Sequence, residues 1–217
     1  MDLRSYTCVC FDCDSTLSAL EGIDELAKRL GLEDKIAPLT AAAMDGRASI
    51  EEVYALRLEA IRPDREALEW LGGRYIETMV LGAKDAVQLL QASGREVFIV
   101  SGGLKPPVAA LGAALSIRPE WVLAVDVRLD ANGGYAGFDT GSPLTCADGK
   151  ARVTRELART HGPVILVGDG MTDVAARAGG AFVIGFGGIA ARPSVMAGAN
   201  LFNHGPSLMD VARAILG

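Results

Sequence analysis

The sequence lacks any long apolar run, although half of its 217 residues are hydrophobic. No uninterrupted apolar segment reaches the ~18 residues that a membrane-spanning helix requires, so we expect no membrane partner. Residues 1–12 also lack a basic segment followed by a longer apolar one, which argues against a signal peptide. The sequence therefore predicts a cytoplasmic protein.

Cysteine, histidine and clustered positive charge are scarce as well. Three of the four cysteines, Cys8, Cys10 and Cys13, are close together, but their spacing is typical of neither a disulfide framework nor a zinc site. We interpret them as reduced, buried thiols. The two histidines stand alone in the sequence, and we assign them no role. Because the net charge is −6 and no cluster of Lys or Arg is present, we expect no nucleic-acid partner.

Four short apolar runs, each ending at Gly or Asp, are typical of buried parallel strands. They lie at residues 6–12, 96–102, 163–170 and 181–187, and helical patterns occur between them. Strand and helix in alternation predict an α/β fold, with a Rossmann-like parallel sheet and helices on both of its faces.

Two regions depart from this alternation. Residues 21–79 carry helical patterns without a convincing strand and are too many for one crossover connection. We therefore predict an inserted helical cap at residues 17–79 and a core domain made of residues 1–16 and 80–217. Residues 123–138 alternate apolar and polar positions around Asn-Gly-Gly, which predicts a small antiparallel β-hairpin.

Polar residues follow the predicted strands at the edge where parallel α/β sheets bind ligands. They are Asp12 and Asp14, then Ser101 and Gly102, then Lys150 at the start of a helix, and finally the Gly-rich segment 168–173 with Asp169, Thr172 and Asp173. Four carboxylates in one pocket repel each other unless a cation lies among them, and an all-oxygen site suits Mg²⁺. The serine, the lysine and the glycine amides are suited to phosphoryl oxygens.

Each of these pieces also has a simpler explanation when it is taken alone. Aspartates are favoured at helix N-caps, and an isolated lysine is usually solvated. The four pieces in this order resemble the motifs of the haloacid dehalogenase (HAD) superfamily of phosphatases. The matching segments are DxDxT at residues 12–16, the strand ending in Ser101, Lys150, and GDGxTD at residues 168–173.

This resemblance implies a division of roles. Asp12 would attack phosphorus and form a phosphoaspartyl intermediate, and Asp14 would act as general acid and then as general base. Ser101 and Lys150 would complete the catalytic set. The Mg²⁺ ligands would be Asp12, the backbone carbonyl of Asp14, and Asp169. Asp173 would hold metal-bound water or Lys150 without ligating the metal itself.

Longer stretches resemble the phosphoserine phosphatase family within that superfamily. They are DCDSTL, VSGG, NGGYAGFD, GDGMTD and IGFGG, and together they extend over nearly the whole chain. The resemblance implies that Glu21 meets the ammonium group of the substrate and that Arg57 meets its carboxylate. Met44, Gly46, Gly102 and Thr172 would complete the substrate site. The chain departs from the family at Ile50 and Leu104, where phenylalanine is common.

The resemblance thus implies Mg²⁺-dependent hydrolysis of O-phosphoserine to serine and phosphate, the last step of serine synthesis, by a monomer or homodimer. A HAD enzyme acting on another small phosphomonoester is the alternative, either as a phosphatase or as a phosphotransferase to a second alcohol. A receiver-type phospho-acceptor module is a further alternative. It would need neither a second aspartate to release an alcohol nor a cap of 60 or so residues.

Overall fold

A six-stranded parallel sheet forms the centre of the protein, as described by a computed structural model that covers residues 2–44 and 49–217, without the side chains of 40–44. With strands numbered along the chain, the sheet contains β1 (Cys8–Phe11), β2 (Glu96–Leu104), β3 (Val122–Val125), β6 (Val164–Gly168), β7 (Phe182–Phe186) and β8 (Leu201–Asn203). Their spatial order is β3-β2-β1-β6-β7-β8, and all neighbours are parallel.

Ten α-helices are described. They are α1 (Gly22–Arg29), α2 (Glu33–Met44), α3 (Ile50–Ile61), α4 (Arg65–Glu77), α5 (Ala83–Ala92), α6 (Lys105–Ala114), α7 (Gly149–His161), α8 (Met171–Ala175), α9 (Pro193–Gly198) and α10 (Leu208–Leu216). α5, α6, α7 and α8 pack against strands of the sheet, α5 also packs against α10, and α7 also packs against α8. None of the described helices is both long and apolar enough to span a bilayer. The predicted fold class is confirmed.

β1 lies inside the sheet because its side chains are apolar on both faces. Every residue from Cys8 to Phe11 is fully buried, as expected for a strand covered by helices on each side. Phe11 pairs in register with Ile99 of β2 and with Val167 of β6. The next residue, Asp12, therefore emerges at the carboxyl edge of the sheet between two neighbouring strands. The three N-terminal cysteines are buried free thiols, as predicted.

The prediction of one hairpin over residues 123–138 is partly wrong. Val122–Val125 forms β3, an edge strand parallel to β2, and only β4 (Val127–Leu129) and β5 (Tyr135–Phe138) form the antiparallel hairpin. A period of two indicates a strand but does not reveal whether its partner is parallel or antiparallel. The sequence also missed β8, a three-residue edge strand with little buried surface.

The chain enters and leaves the helical region α1–α4 at adjacent points. The N–H of Ala19 donates to the carbonyl of Thr78, and the N–H of Val80 donates to the carbonyl of Leu17, both at 2.9 Å. We propose that the chain divides here into a cap at residues 17–79 and a core at 1–16 and 80–217. The paired crossing supports this division because the chain enters and leaves the helical region at one place.

α4 approaches the core helix α6 closely at one glycine. A Cβ on Gly72 would lie 3.0 Å from the Cβ of Ala110 and 3.5 Å from the Cα of Pro107. A Cβ on the adjacent Gly73 would have no atom within 4 Å. The pair of glycines therefore separates helix propensity from packing within one helix.

We expect Gly73→Ala to raise the free energy of unfolding by about 0.5–1 kcal/mol, because alanine is the better helix former. We expect Gly72→Ala to lower it by about 1–2 kcal/mol despite the same gain, because neither Ala110 nor Pro107 can rotate out of the way. Urea unfolding of both variants and the parent measures the difference. Equal stabilisation by both substitutions would contradict close packing of α4 on α6.

Candidate active site

The carboxyl edge of the sheet brings together the polar residues that the sequence places there. Asp12 directly follows β1, Ser101 lies in the last part of β2, Lys150 is the second residue of α7, and Asp169 directly follows β6. All four side chains are buried. With Asp14 they line a cavity of about 720 Å³, a volume suited to a small-molecule ligand.

Lys150 lies between two carboxylates. Its Nζ is 2.8 Å from Oδ2 of Asp12 and 2.6 Å from Oδ1 of Asp173. Burial alone would lower the pKa of Lys150, but the two carboxylates outweigh it and hold the pKa above its ordinary value. The ammonium group is therefore charged at neutral pH and balances part of the negative charge beside it.

Asp173 reaches this position because Gly168 has no side chain. A Cβ on Gly168 would overlap the carboxylate of Asp173, whose Oδ2 accepts a 2.9 Å hydrogen bond from the N–H of Gly170. Burial raises the pKa of Asp173 to about 6, against the opposing effect of Lys150. The Gly-Asp-Gly sequence thus has a steric reason, which is the close approach of one carboxylate to the end of β6.

Three buried carboxylates form a group that suits a metal ion. Asp12, Asp169 and Asp173 each offer one oxygen, and these oxygens lie within 4.8 Å of one another. A compact set of anionic oxygen donors fits a hard divalent cation, which relieves the repulsion among them. The sequence predicts Asp173 outside the ligand set, whereas the structure groups it with Asp12 and Asp169 and also pairs it with Lys150.

The carboxylate of Asp14 points away from this group. Its Oδ1 accepts hydrogen bonds from the hydroxyl of Tyr75 at 2.5 Å and from the N–H of Gly22 at 3.1 Å. Burial, together with the nearby charges of Glu21 and Asp12, raises the pKa of Asp14 to about 7 against these hydrogen bonds. Both protonation states are therefore accessible near neutral pH. Because the Asp14 side chain is engaged by Tyr75 and Gly22, its backbone carbonyl is the atom that could serve as a metal ligand. The HAD resemblance implies the same atom.

Glu21 is held by two partners at the mouth of the cavity. Its Oε1 accepts from the hydroxyl of Ser15 at 2.8 Å and lies 3.4 Å from Nη2 of Arg192. Ser15 adopts a left-handed backbone conformation, with φ of 50°, in the turn after Asp12. Arg192 also donates to the backbone carbonyl of Asp169 at 2.9 Å and contacts the Asp169 carboxylate.

Sequence reasoning missed Tyr75 and Arg192. Tyr75 lies in the apolar pattern of α4, where an aromatic residue at helical spacing indicates only a core position. Arg192 is a single cation in the loop after β7, with no motif around it. Neither position carries a local pattern that could have pointed to the cavity.

Arg57 lines the cavity from α3. Its Nε is buried and meets no acceptor among the described residues. Burial lowers the pKa of Arg57, although nearby acidic groups, of which Asp24 has the largest effect, act to raise it. A half-buried guanidinium whose buried Nε donor is unused is suited to an anionic group of a ligand.

The remaining predicted substrate residues fall into two groups. Gly102 and Thr172 line the cavity, as does Ile50. Met44 and Gly46 form the second group. The side chain of Met44 is not among those that the structure describes, and Gly46 lies outside the described residues.

Comparisons with known proteins identify the family of this chain. The family model for haloacid dehalogenase-like hydrolases matches residues 9–177. Phosphoserine phosphatase of Bos taurus is 36% identical over 200 residues, which cover 89% of each chain. Phosphoserine phosphatase of Homo sapiens is 36% identical over 193 residues, with 88% of this chain and 86% of the human one covered.

Solved structures extend the comparison to the fold. A phospho-aspartyl intermediate analogue of phosphoserine phosphatase matches with a TM-score of 0.79 and 25% identity, over 97% of this chain and 99% of that one. DsGPDH of Dunaliella salina matches with a TM-score of 0.82 and 28% identity, over 99% of this chain but only 37% of that one. The chain therefore belongs to the haloacid dehalogenase-like hydrolase family, and its similarity to the phosphoserine phosphatases of that family extends over most of its length.

Proposed function

We propose that this chain is a Mg²⁺-dependent phosphatase that hydrolyses O-phosphoserine to serine and phosphate. The observation that carries the proposal is the buried group of Asp12, Lys150, Asp169 and Asp173. All but Asp173 line one cavity, which Glu21 and Arg57 also line. Identity of 36% to phosphoserine phosphatases over 89% of the chain supports the choice of ester. The predicted cytoplasmic location and monomeric or homodimeric state stay predictions.

Asp12 is the proposed nucleophile. Its Oδ1 accepts a 2.7 Å hydrogen bond from the N–H of Cys13, and its Oδ2 pairs with Lys150, so the carboxylate is fixed in orientation. Attack on phosphorus forms an aspartyl phosphate and breaks the bond to the seryl oxygen, which takes a proton from Asp14. A water molecule then gives one of its own protons to the Asp14 carboxylate and attacks the aspartyl phosphate. Phosphate is released and Asp12 is regenerated.

The phosphoryl oxygens would be held by Lys150, Ser101 and nearby backbone N–H groups. The Oγ of Ser101 accepts from the N–H of Gly103 at 2.9 Å, which leaves its hydroxyl hydrogen to donate to a ligand. Asp12, Asp169 and the carbonyl of Asp14 would hold Mg²⁺, with Asp173 beside them. The ion would neutralise charge on the phosphoryl group and on these carboxylates.

Recognition of the amino-acid part of O-phosphoserine is assigned to Glu21 and Arg57, which line the cavity. The guanidinium of Arg57 would pair with the substrate carboxylate, and Glu21 would pair with its ammonium group. Gly102, Thr172 and Met44 complete the proposed substrate site. This division assigns the amino-acid end of the substrate to Glu21 and Arg57 and its phosphate to the groups at the strand ends.

Asp12→Asn should lower kcat on O-phosphoserine by at least about 1,000-fold, because the amide is a poor nucleophile toward phosphorus. Phosphate release is the measurement, and Asp85→Asn, which alters an exposed aspartate in the first turn of α5, is the matched control. Sustained turnover by a well-folded Asp12→Asn variant would refute the nucleophile assignment.

Arg57→Ala should raise KM for O-phosphoserine by about 10- to 100-fold, the cost of one charge-assisted contact, and should change KM for p-nitrophenyl phosphate little. The second ester has no carboxylate for the guanidinium to bind. Arg159→Ala, which removes an exposed arginine on α7, serves as the control. Equal losses on both esters would exclude Arg57 from recognition of the carboxylate.

Removal of divalent ions by a chelator should abolish turnover of a panel of small phosphate esters, and added Mg²⁺ should restore it, with O-phosphoserine the best substrate. Mg²⁺ at ~100 times its Kd should also raise Tm by about 3 °C or more, because it binds only the folded chain. Asp169→Asn should remove this thermal shift, and Asp85→Asn should retain it. Full turnover by the metal-free chain would contradict the proposal.

A further inference from the structure

One contact links the cap helix α3 directly to the phosphate-binding loop, our name for residues 101–103 in the last part of β2, which would hold phosphate. The hydroxyl of Tyr54 donates a 2.9 Å hydrogen bond to the backbone carbonyl of Gly102. Gly102 lies between Ser101, whose hydroxyl faces the cavity, and Gly103, whose N–H donates to that serine. The Tyr54 hydroxyl thus reaches the same three-residue segment that carries a proposed phosphate ligand.

Tyr54 and Arg57 share one face of α3, because residues three apart are neighbours on a helix. Both line the cavity. The ring of Tyr54 packs against Phe138 of the hairpin, with 5.4 Å between ring centroids, so the side chain is fixed at both its ring and its hydroxyl. Burial raises the pKa of Tyr54 above its ordinary value, so the hydroxyl keeps its proton and donates.

The position of α3 over the core depends on such contacts. No short covalent path joins α3 to β2, since α4 and α5 intervene along the chain. One turn before Tyr54, the carboxylate of Glu51 accepts a 3.2 Å hydrogen bond from the N–H of Ala147, in a core loop. Glu51 is exposed, whereas the Tyr54 contact is partly buried and lies at the cavity itself.

We infer that Tyr54 is a positioning residue that fixes the separation between Arg57 and the phosphate-binding loop, and thereby selects esters by the distance between phosphate and carboxylate. This inference rests on the proposed function. An ester of the right length engages both the loop and Arg57, and one that is a methylene longer does not fit both. An ester without a carboxylate gains nothing from the fixed separation.

Tyr54→Phe tests this inference, because it removes the hydroxyl and keeps the ring against Phe138. Tyr135→Phe is the matched control: the hydroxyl of Tyr135 is buried and has no hydrogen-bond partner among the described residues. The quantity measured is kcat/KM of each variant on O-phosphoserine, O-phosphohomoserine and p-nitrophenyl phosphate. The second of these is one methylene longer than the first, and the third lacks a carboxylate.

We expect Tyr54→Phe to lower kcat/KM on O-phosphoserine by about 3- to 10-fold, the effect of one lost neutral hydrogen bond, mainly through KM. The kcat/KM values for O-phosphohomoserine and p-nitrophenyl phosphate should change less than about 2-fold. The preference for O-phosphoserine over each of these esters, taken as the ratio of kcat/KM values, should therefore fall. Tyr135→Phe should leave all three values unchanged. Equal losses of Tyr54→Phe on all three esters, or unchanged ratios, would overturn the inference.

Amide hydrogen exchange of residues 50–61 gives a second readout that needs no substrate. Exchange in this segment should be faster in Tyr54→Phe than in the parent, and unchanged in Tyr135→Phe. Equal exchange in the parent and Tyr54→Phe would show that the hydroxyl does not hold α3. If the parent chain does not prefer O-phosphoserine over p-nitrophenyl phosphate, the proposed function is refuted. The exchange result would still decide whether the Tyr54 hydroxyl holds α3 on the core.

Discussion

Repulsion among buried carboxylates is the constraint on which the rest of the structure depends. Asp12, Asp169 and Asp173 hold oxygens within 4.8 Å of one another at the end of a sheet whose interior is apolar. Lys150 and Arg192 offset part of this charge from α7 and from the loop after β7. Only a rigid frame keeps such groups together, and the two parallel strands beside β1, namely β6 and the buried central part of β2, provide it.

Two bodies of structure meet at the cavity with different tasks. The strand ends carry the groups proposed for attack, proton transfer and phosphate binding. The helices α1–α4 supply three side chains: Tyr75, which donates to Asp14, Arg57, which lines the cavity, and Tyr54, which donates to the carbonyl of Gly102. A group that acts on phosphorus is thus fixed by sheet register, whereas a group that reads the rest of a ligand depends on how the helices lie on the core.

The sequence predicted what depends on local pattern and missed what depends on approach from afar. Asp12, Ser101 and Asp169 are predictable because parallel strands end at one edge, so residues at their ends converge. Lys150 lies in α7 and is predicted from its place in the order of the HAD motifs. Tyr75 and Arg192 reach the site from elements whose patterns indicate only a helix core and a Gly-rich loop. The strand at 122–125 was assigned to the hairpin because alternation reveals a strand and not its partner.

The paired hydrogen bonds at Ala19–Thr78 and Leu17–Val80 have an evolutionary consequence. Because the two ends of the insertion are hydrogen-bonded side by side, the position of the anchor points in the core does not depend on the length of the segment between them. A longer segment adds little to the entropic cost of closing it. A lineage can therefore vary the length of this segment without moving its two anchor points, provided that the contacts of α4 with Asp14 and with α6 are kept.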